Sequence, residues 1–330
     1  MYTCSPGFKE IDPVLKGREA RPLFKCYGKY GKGKIMKGCD VIELIGNTPL
    51  IRLRNENIIA KAEFLNPGGS IKDRAALAMI EAAERDGILK PGMKIVEPTS
   101  GNTGIGITLV GVARGYEVYI VMPEGMSEER KNIIKVLGGN LVLTPDSESV
   151  AGAIQKAEEL VENFHGYMPN QFKNPTNALA HYKHTAPELW EQSGHKIDVF
   201  VSGIGSGGTI QGIGSFLKEQ RPDIMIVAVE PKNVSALLGH EPGLHQIQGI
   251  GDGFIPDLLD PSLIDRILEV SDDDAIATTR ELATSNSLLC GTSSGANIWG
   301  ARQIAVEHPE WVIATVLPDR AERYFSTGLL

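Results

Sequence analysis

The chain has 330 residues, 42% of them hydrophobic and 22% charged, with a formal net charge of −8. That is enough chain for one large or two medium domains with self-sufficient cores. The negative balance argues against nucleic acid or an anionic membrane surface as main partner, because each selects a basic face. No apolar run approaches the length of a membrane span, and the first thirty residues lack the unbroken apolar segment of a secretory signal, so a cytoplasmic protein acting on small molecules is expected.

Positions 1–40 stand apart, with nine Lys and Arg against four Asp and Glu, and read as a basic N-terminal arm, either packed on the body or on a second subunit or, given its low apolar content, partly disordered. Three of the four cysteines, Cys4, Cys26 and Cys39, lie in it; the fourth, Cys290, follows Leu288-Leu289 and reads as a small buried hydrophobe. Their spacings lack the paired pattern of a zinc site, so reduced thiols and no metal are expected.

From about Val41 the pattern alternates. Apolar, β-branched runs at Lys94–Glu97, Val118–Met122, Asn140–Leu143, Asp198–Val201, Met225–Val229 and Trp311–Leu317 read as buried parallel strands. Between them, Arg74–Glu84, Gly104–Arg114, Ser127–Leu137, Ser149–Asn163, Leu179–Gln192, Thr209–Gln220 and Asp272–Ser285 read as helices. Strand, loop and helix in repetition predict an α/β protein with one or two open doubly wound sheets and its working groups at the carboxyl ends of strands.

Four loops carry candidate chemistry. In Asn66-Pro-Gly-Gly-Ser-Ile-Lys72, a glycine turn delivers Lys72 to a helix start, where an amine can attack a carbonyl cofactor; a solvated surface lysine is the plainer reading. Glu97-Pro-Thr-Ser-Gly-Asn-Thr-Gly104 gathers the hydroxyls of Thr99, Ser100 and Thr103, the Asn102 amide and the Gly101 backbone at a helix N-terminus suited to a carboxylate, although turn and capping residues cluster in the same way. In Ser202-Gly-Ile-Gly-Ser-Gly-Gly-Thr209, successive N–H groups with Ser206 and Thr209 make a phosphate cup. The same loop satisfies GxGxxG, and Glu230 stands where a ribose-binding acid would in a nicotinamide-dependent oxidoreductase. Gly291-Thr-Ser-Ser-Gly-Ala296 opens a late helix.

These four motifs in this order, with Ile45-Gly-Asn-Thr-Pro-Leu50, Asn170-Gln-Phe-Lys-Asn-Pro175, Gly249-Ile-Gly251 and Glu322-Arg-Tyr-Phe-Ser-Thr327, resemble the fold type II pyridoxal-phosphate enzymes of the cysteine synthase (O-acetylserine sulfhydrylase) and cystathionine β-synthase family. The similarity runs from Val41 to Leu330, without the haem-binding and regulatory segments of the animal cystathionine enzyme, so the short synthases are the better match. The resemblance implies two open, twisted, mostly parallel sheets flanked by helices. A smaller lobe over 41–175, part of whose 41–75 stretch packs with the other lobe, would face a larger one over 176–330, with pyridoxal 5′-phosphate and the active site between them.

It further implies Lys72 as the Schiff-base lysine, Asn102 at the cofactor's ring oxygen, Gly205, Ser206, Gly207, Gly208 and Thr209 at its phosphate, and Ser293 at its pyridine nitrogen. Thr99, Ser100, Gly101, Thr103, Gln171 and Gly249 would bind the amino-acid substrate. The implied reaction is β-replacement, forming L-cysteine from O-acetylserine and sulfide through an aminoacrylate. The implied assembly is a homodimer, with serine acetyltransferase as a partner.

One residue departs from the sulfhydrylase pattern. After Gly249-Ile-Gly251 those enzymes usually carry a small apolar residue, and this chain carries Asp252. A carboxylate there repels hydrosulfide yet can serve as base toward a neutral thiol, which keeps open a cysteine desulfhydrase or a lanthionine synthase; Asp252 facing solvent is the plain alternative. The Gly-Gly-Ser of the Asn66–Ser70 loop is similar to that of cystathionine β-synthases and many microbial synthases, which keeps open O-phosphoserine or homocysteine as substrate and with it a cystathionine-type condensation. Three further features are expected to have no chemical role: His181 and His184 as surface or interface groups, Glu128-Glu-Arg-Lys131 as a solvated helix face, and Trp190, Trp299 and Trp311 as core or subunit contacts.

Overall fold

A computed structural model describes residues 40–99, 101–241 and 243–329, with backbone only at 149 and 150. Positions 1–39 of the N-terminal arm, with its three cysteines, and Ser100 of the predicted carboxylate loop lie outside the described residues.

Two sheets organise the chain. The larger has six strands in the order β1-β2-β9-β6-β7-β8 and the smaller has three, β3-β4-β5. Among the described strands only β1 (Leu50–Arg52) and β2 (Ile58–Lys61) pair antiparallel to each other; β2, β9 (Ile313–Val316), β6 (Val199–Gly203), β7 (Met225–Pro231) and β8 (Arg266–Val270) pair in parallel. The small sheet of β3 (Lys94–Pro98), β4 (Glu117–Pro123) and β5 (Asn140–Thr144) is parallel throughout.

Side-chain alternation explains why these strands read as unbroken apolar runs. Val199 and Val201 of β6 face Ala296, Ala301 and Ile304 of α9 (Thr292–Glu307), whereas Phe200 between them faces Ile210, Ile213 and Leu217 of α7 (Gly208–Gln220). In the small sheet Ile95 and Ile120 pack on α1 (Lys72–Arg85) and α2 (Asn102–Ala113), while Val96 and Val121 meet Ala153 and Ala157 of α4 (Ser149–Phe164). A strand buried on both faces has no polar side to show.

Most expected elements are present, and the departures have physical causes. The helix expected at Leu179–Gln192 is a composite: α5 (Thr176–Ala180), a π-helical turn His181–Thr185, and α6 (Ala186–Gln192). The widened turn lies where α7 presses on this run. A Cβ at Gly212 would stand 2.2 Å from the Ala178 carbonyl oxygen and 2.8 Å from His181 Cβ. The expected solvated face of α3 (Glu128–Val136) is half wrong, because Arg130 and Lys131 are buried.

Candidate active site

Lys72 is the first residue of α1, and the turn ahead of it is tightly held. Gly69 adopts φ +79°, its N–H donates to the Asn66 carbonyl, and Gly68 N–H donates to Asp73 Oδ2 at 2.6 Å. The Lys72 side chain is directed to the other sheet, where Nζ donates to Ser206 Oγ at 3.0 Å. Desolvation by surrounding protein lowers the amine's pKa, with the charges of Asp252 and Glu97 opposing.

Ser206 belongs to the loop between β6 and α7. Gly207 caps α7 at φ +79°, a left-handed backbone that glycine adopts without strain. Starting α7 at Gly208 leaves its first N–H groups without intrahelical partners, so the loop presents an anion-binding helix end. Gly208 has no room for a side chain, since a Cβ would be 2.3 Å from Asn177 Oδ1. Asn177 Nδ2 in turn donates to Ser206 Oγ and to the Gln171 carbonyl.

His181 supports this loop from below. Its Nε2 is 3.4 Å from Thr209 Oγ1 and its Nδ1 3.0 Å from Thr185 Oγ1. The expectation of a surface group fails for His181, which is 1% exposed, and holds for His184, which is exposed. Burial first, then the nearby charge of Arg74, pushes the His181 imidazole down to about 3 and keeps it neutral.

Across the cleft, β3 leads into Thr99 and Gly101, and α2 begins at Asn102, two residues before the expected Gly104. Gly101 N–H donates to Thr99 Oγ1 at 3.2 Å, and Thr103 Oγ1 donates to Gln171 Oε1 at 2.6 Å, so the predicted carboxylate residues and Gln171 do meet. Glu97 had no expected role. Its two oxygens accept from the backbone N–H groups of Asn170 and Gln171, fastening the Gln171 loop to the end of β3. Burial raises its carboxyl to about 7 against those two hydrogen bonds and the charge of Lys72. The Asn102 amide is also held, by Asp319 on one side and Arg323 on the other.

The start of α9 supplies a third wall. Ser293 is buried there, and Thr292 Oγ1, Ser294 Oγ and Asp319 Oδ1 are buried polar atoms with no hydrogen-bond partner among the described residues. Asp252 stands at the mouth, after Gly249 and Gly251, which have φ of +97° and +74°. His245 Nε2 lies 2.9 Å from the Gly251 carbonyl and its Nδ1 accepts from Ile247 N–H, which fixes this turn. The Asp252 side chain reaches solvent yet is crowded by protein atoms, and desolvation raises its carboxyl, with Lys72 and His245 opposing. Glu230 is not free to take a ribose, because it is buried and its Oε2 accepts from Ser235 Oγ and Leu237 N–H. Cys290 is buried, as expected, and its thiol is pushed up to about 12.

Among the described residues no helix is long and apolar enough to cross a membrane, and no cluster of three or more His, Cys, Asp or Glu could hold a metal ion. The family described as "Pyridoxal-phosphate dependent enzyme" matches residues 41–319. A cysteine synthase of Staphylococcus aureus is 50% identical over 299 residues, which are 88% of this chain and 96% of the relative. Among solved structures, an O-acetylserine-dependent cystathionine β-synthase from Helicobacter pylori is similar at TM-score 0.84 and 41% identity, covering 89% of this chain and 99% of its own. A hydrogen sulfide-producing enzyme from Fusobacterium nucleatum is similar at TM-score 0.84 and 40% identity, covering 88% and 100%.

Proposed function

The chain belongs to the pyridoxal-phosphate-dependent enzymes, and from that premise we propose that it forms L-cysteine and acetate from O-acetylserine and sulfide by β-replacement. The residues of the cleft fit the cofactor. A desolvated amine suits its aldehyde, an open helix N-terminus suits its phosphate, and unpartnered buried polar atoms beside Ser293 leave hydrogen-bonding capacity for a polar heterocycle. The single observation that carries the reading is the 3.0 Å contact of Lys72 Nζ with Ser206 Oγ, which joins the reactive amine to the phosphate loop from a separate sheet.

In this reading Lys72 holds the aldehyde, Gly205, Ser206, Gly207, Gly208 and Thr209 the phosphate, Asn102 the ring oxygen and Ser293 the pyridine nitrogen. When bound, the cofactor supplies an electron sink for Cα of the amino acid, which acidifies the α-proton and lets a leaving group depart from Cβ. Thr99, Ser100, Gly101, Thr103 and Gln171 bind the substrate carboxylate at the start of α2, and Gly249 borders the opposite wall. As a free amine, Lys72 Nζ would take the proton from Cα of the substrate and later return it. Its depressed pKa favours the neutral amine that a base requires. Closing the Thr99–Gly104 segment, whose second half is the first turn of α2, over the carboxylate would exclude water from Cβ. Ser293 cannot keep a pyridine nitrogen protonated as a carboxylate would, which tempers the sink and favours loss of the β-substituent over transamination.

Asp252 favours a second reading. A carboxyl with a raised pKa at the mouth of the cleft is a base for a neutral thiol, so cysteine or homocysteine as nucleophile, with sulfide released from cysteine, uses the same machinery. We assign the two lobes to 41–175 and 176–330, with β1 and β2 given to the larger because β2 pairs with β9 and β1 with β2. A homodimer, a cytoplasmic location and a serine acetyltransferase partner complete the proposal. Exposed Leu289 and Phe325, which flank an apolar hollow of about 290 Å³, support a subunit contact. Product assays with O-acetylserine, O-phosphoserine, serine and cysteine, each with sulfide and with homocysteine, test the reading in wild type and Asp252→Ala. Fastest cysteine formation from O-acetylserine supports it. No turnover of O-acetylserine contradicts it, and sulfide release from cysteine that Asp252→Ala abolishes moves the assignment to the second reading.

A further inference from the structure

An asparagine amide is nearly symmetric in shape but not in chemistry, since one end donates and the other accepts. Both ends of Asn102 are committed. Nδ2 donates to Asp319 Oδ2 at 2.7 Å, and Oδ1 accepts from Arg323 Nη1. Turned over, the amide would set its oxygen against a carboxylate and its NH2 against a guanidinium, so the two charges select one orientation.

The charges are themselves anchored. Tyr324 OH donates to the same Asp319 oxygen at 2.6 Å, and the Arg130 guanidinium lies 4.9 Å from the centre of the Tyr324 ring. Burial and the charge of Asp319 hold the Tyr324 phenol protonated, and therefore able to donate. Arg323 also donates to the Gly68 carbonyl, in the turn that delivers Lys72. Asp319 itself is fully buried between β9 and the Ala321–Thr327 helical turn, and its backbone pairs with Ser70.

We propose that Asp319 is a positioning residue, which through the Asn102 amide makes Asn102 a hydrogen-bond donor toward the cofactor. The inference rests on the pyridoxal-phosphate reading above. An NH2 group carries two hydrogens; Asp319 takes one and leaves the other as the free donor of the amide. The cofactor's ring oxygen is an acceptor of matching chemistry. Arg323 enforces the same orientation from the acceptor side and ties it to the Lys72 turn.

Equilibrium binding tests this. Cofactor-free full-length protein is titrated with pyridoxal phosphate, following the absorption and fluorescence of the bound cofactor, for wild type, Asp319→Ala, Asn102→Ala and the double variant. Each single variant is expected to bind about tenfold more weakly, as for one lost hydrogen bond, and to shift the bound-cofactor absorption. The double variant is expected to lose no more than Asn102→Ala alone, because Asp319 acts through that amide. Asp319→Asn, equal in size and still able to accept from Asn102 and Tyr324, is expected to bind like wild type. Additive losses in the double variant, or unchanged affinity and absorption in Asp319→Ala, overturn the role. If melting shows Asp319→Ala unfolded, Asp319→Ser, one bond shorter in reach, carries the same expectations and the same refutation. A wild type that takes up no cofactor overturns the functional reading itself, and is distinct from a wild type that binds while the Asp319 variants do not differ from it.

Discussion

Asp73, next to the proposed cofactor lysine, should make the protein less stable as the pH rises. It is fully buried, its Oδ2 accepts from Gly68 N–H, and its Oδ1 has no partner among the described residues. Burial lifts the carboxyl from its ordinary 3.8 to about 7, against the Gly68 hydrogen bond and the charge of Arg323. A folded-state pKa above the unfolded one means that the native state holds the proton more tightly. The contribution is therefore complete below pH 3.8, shrinks as the unfolded carboxyl ionises, and is gone once the pH has passed 7. At about 1.4 kcal/mol per pH unit the whole loss is about 4 kcal/mol, of which about 2–3 falls between pH 5 and pH 8. Asp73→Asn keeps an acceptor for Gly68 and cannot ionise. Urea unfolding at a fixed, saturating cofactor concentration, for wild type and Asp73→Asn at both pH values, isolates the effect because Glu97, also raised to about 7, is common to both proteins. The variant should gain on wild type by that amount from pH 5 to pH 8. A difference that does not change with pH refutes the reasoning.

Gly212→Ala should weaken cofactor binding as well as stability, by about 1–3 kcal/mol in a thermal or urea melt, because its Cβ meets a backbone carbonyl that cannot move aside and α7 carries the phosphate loop. Glu97→Gln replaces one acceptor by a donor facing a backbone N–H. It should raise KM for the amino acid about tenfold through Gln171 while leaving pyridoxal phosphate affinity unchanged in a direct titration. Glu188→Gln leaves Lys61 and Arg74 short of one buried counter-charge, each now 2.7 Å from its carboxylate, and should cost about 3–5 kcal/mol in urea unfolding at pH 7. Because Glu188 is held down to about 2, by Arg74 and then Lys61 against its own desolvation, that difference is present above pH 4.5 and should close as the pH falls through 2.

Local signals carried the parallel strands and the glycine loops. β6 and β4 appear where apolar β-branched runs stand, and Gly207 has the left-handed backbone that a glycine run before a helix suggests. The short β1 and β2 are hard to read because Leu50–Arg52 is three residues long and Lys61 places a charge within a buried strand, where Glu188, more than a hundred residues away, pairs with it and Thr48 accepts from its amine. Distance in sequence also hid the supporting groups of the site. Lys72 and Ser206 were each legible within their own motifs, whereas Asp319 acquires its meaning from Asn102, 217 residues earlier. His181 looked like a surface residue because its segment contains Tyr182, Lys183 and His184; the π-helical turn rotates it inward onto Thr209. Arg130 sits in a run of four charged residues, and only the fold shows that its guanidinium is covered by Tyr324.

The central claim is that Lys72 bears the cofactor, and peptide mapping by mass spectrometry after borohydride reduction of the protein with bound pyridoxal phosphate tests it most directly. The account predicts a phosphopyridoxyl group on the peptide containing Lys72, and none on any peptide of a Lys72→Ala variant. A modification confined to another lysine, or no modification of a protein saturated with the cofactor, contradicts it.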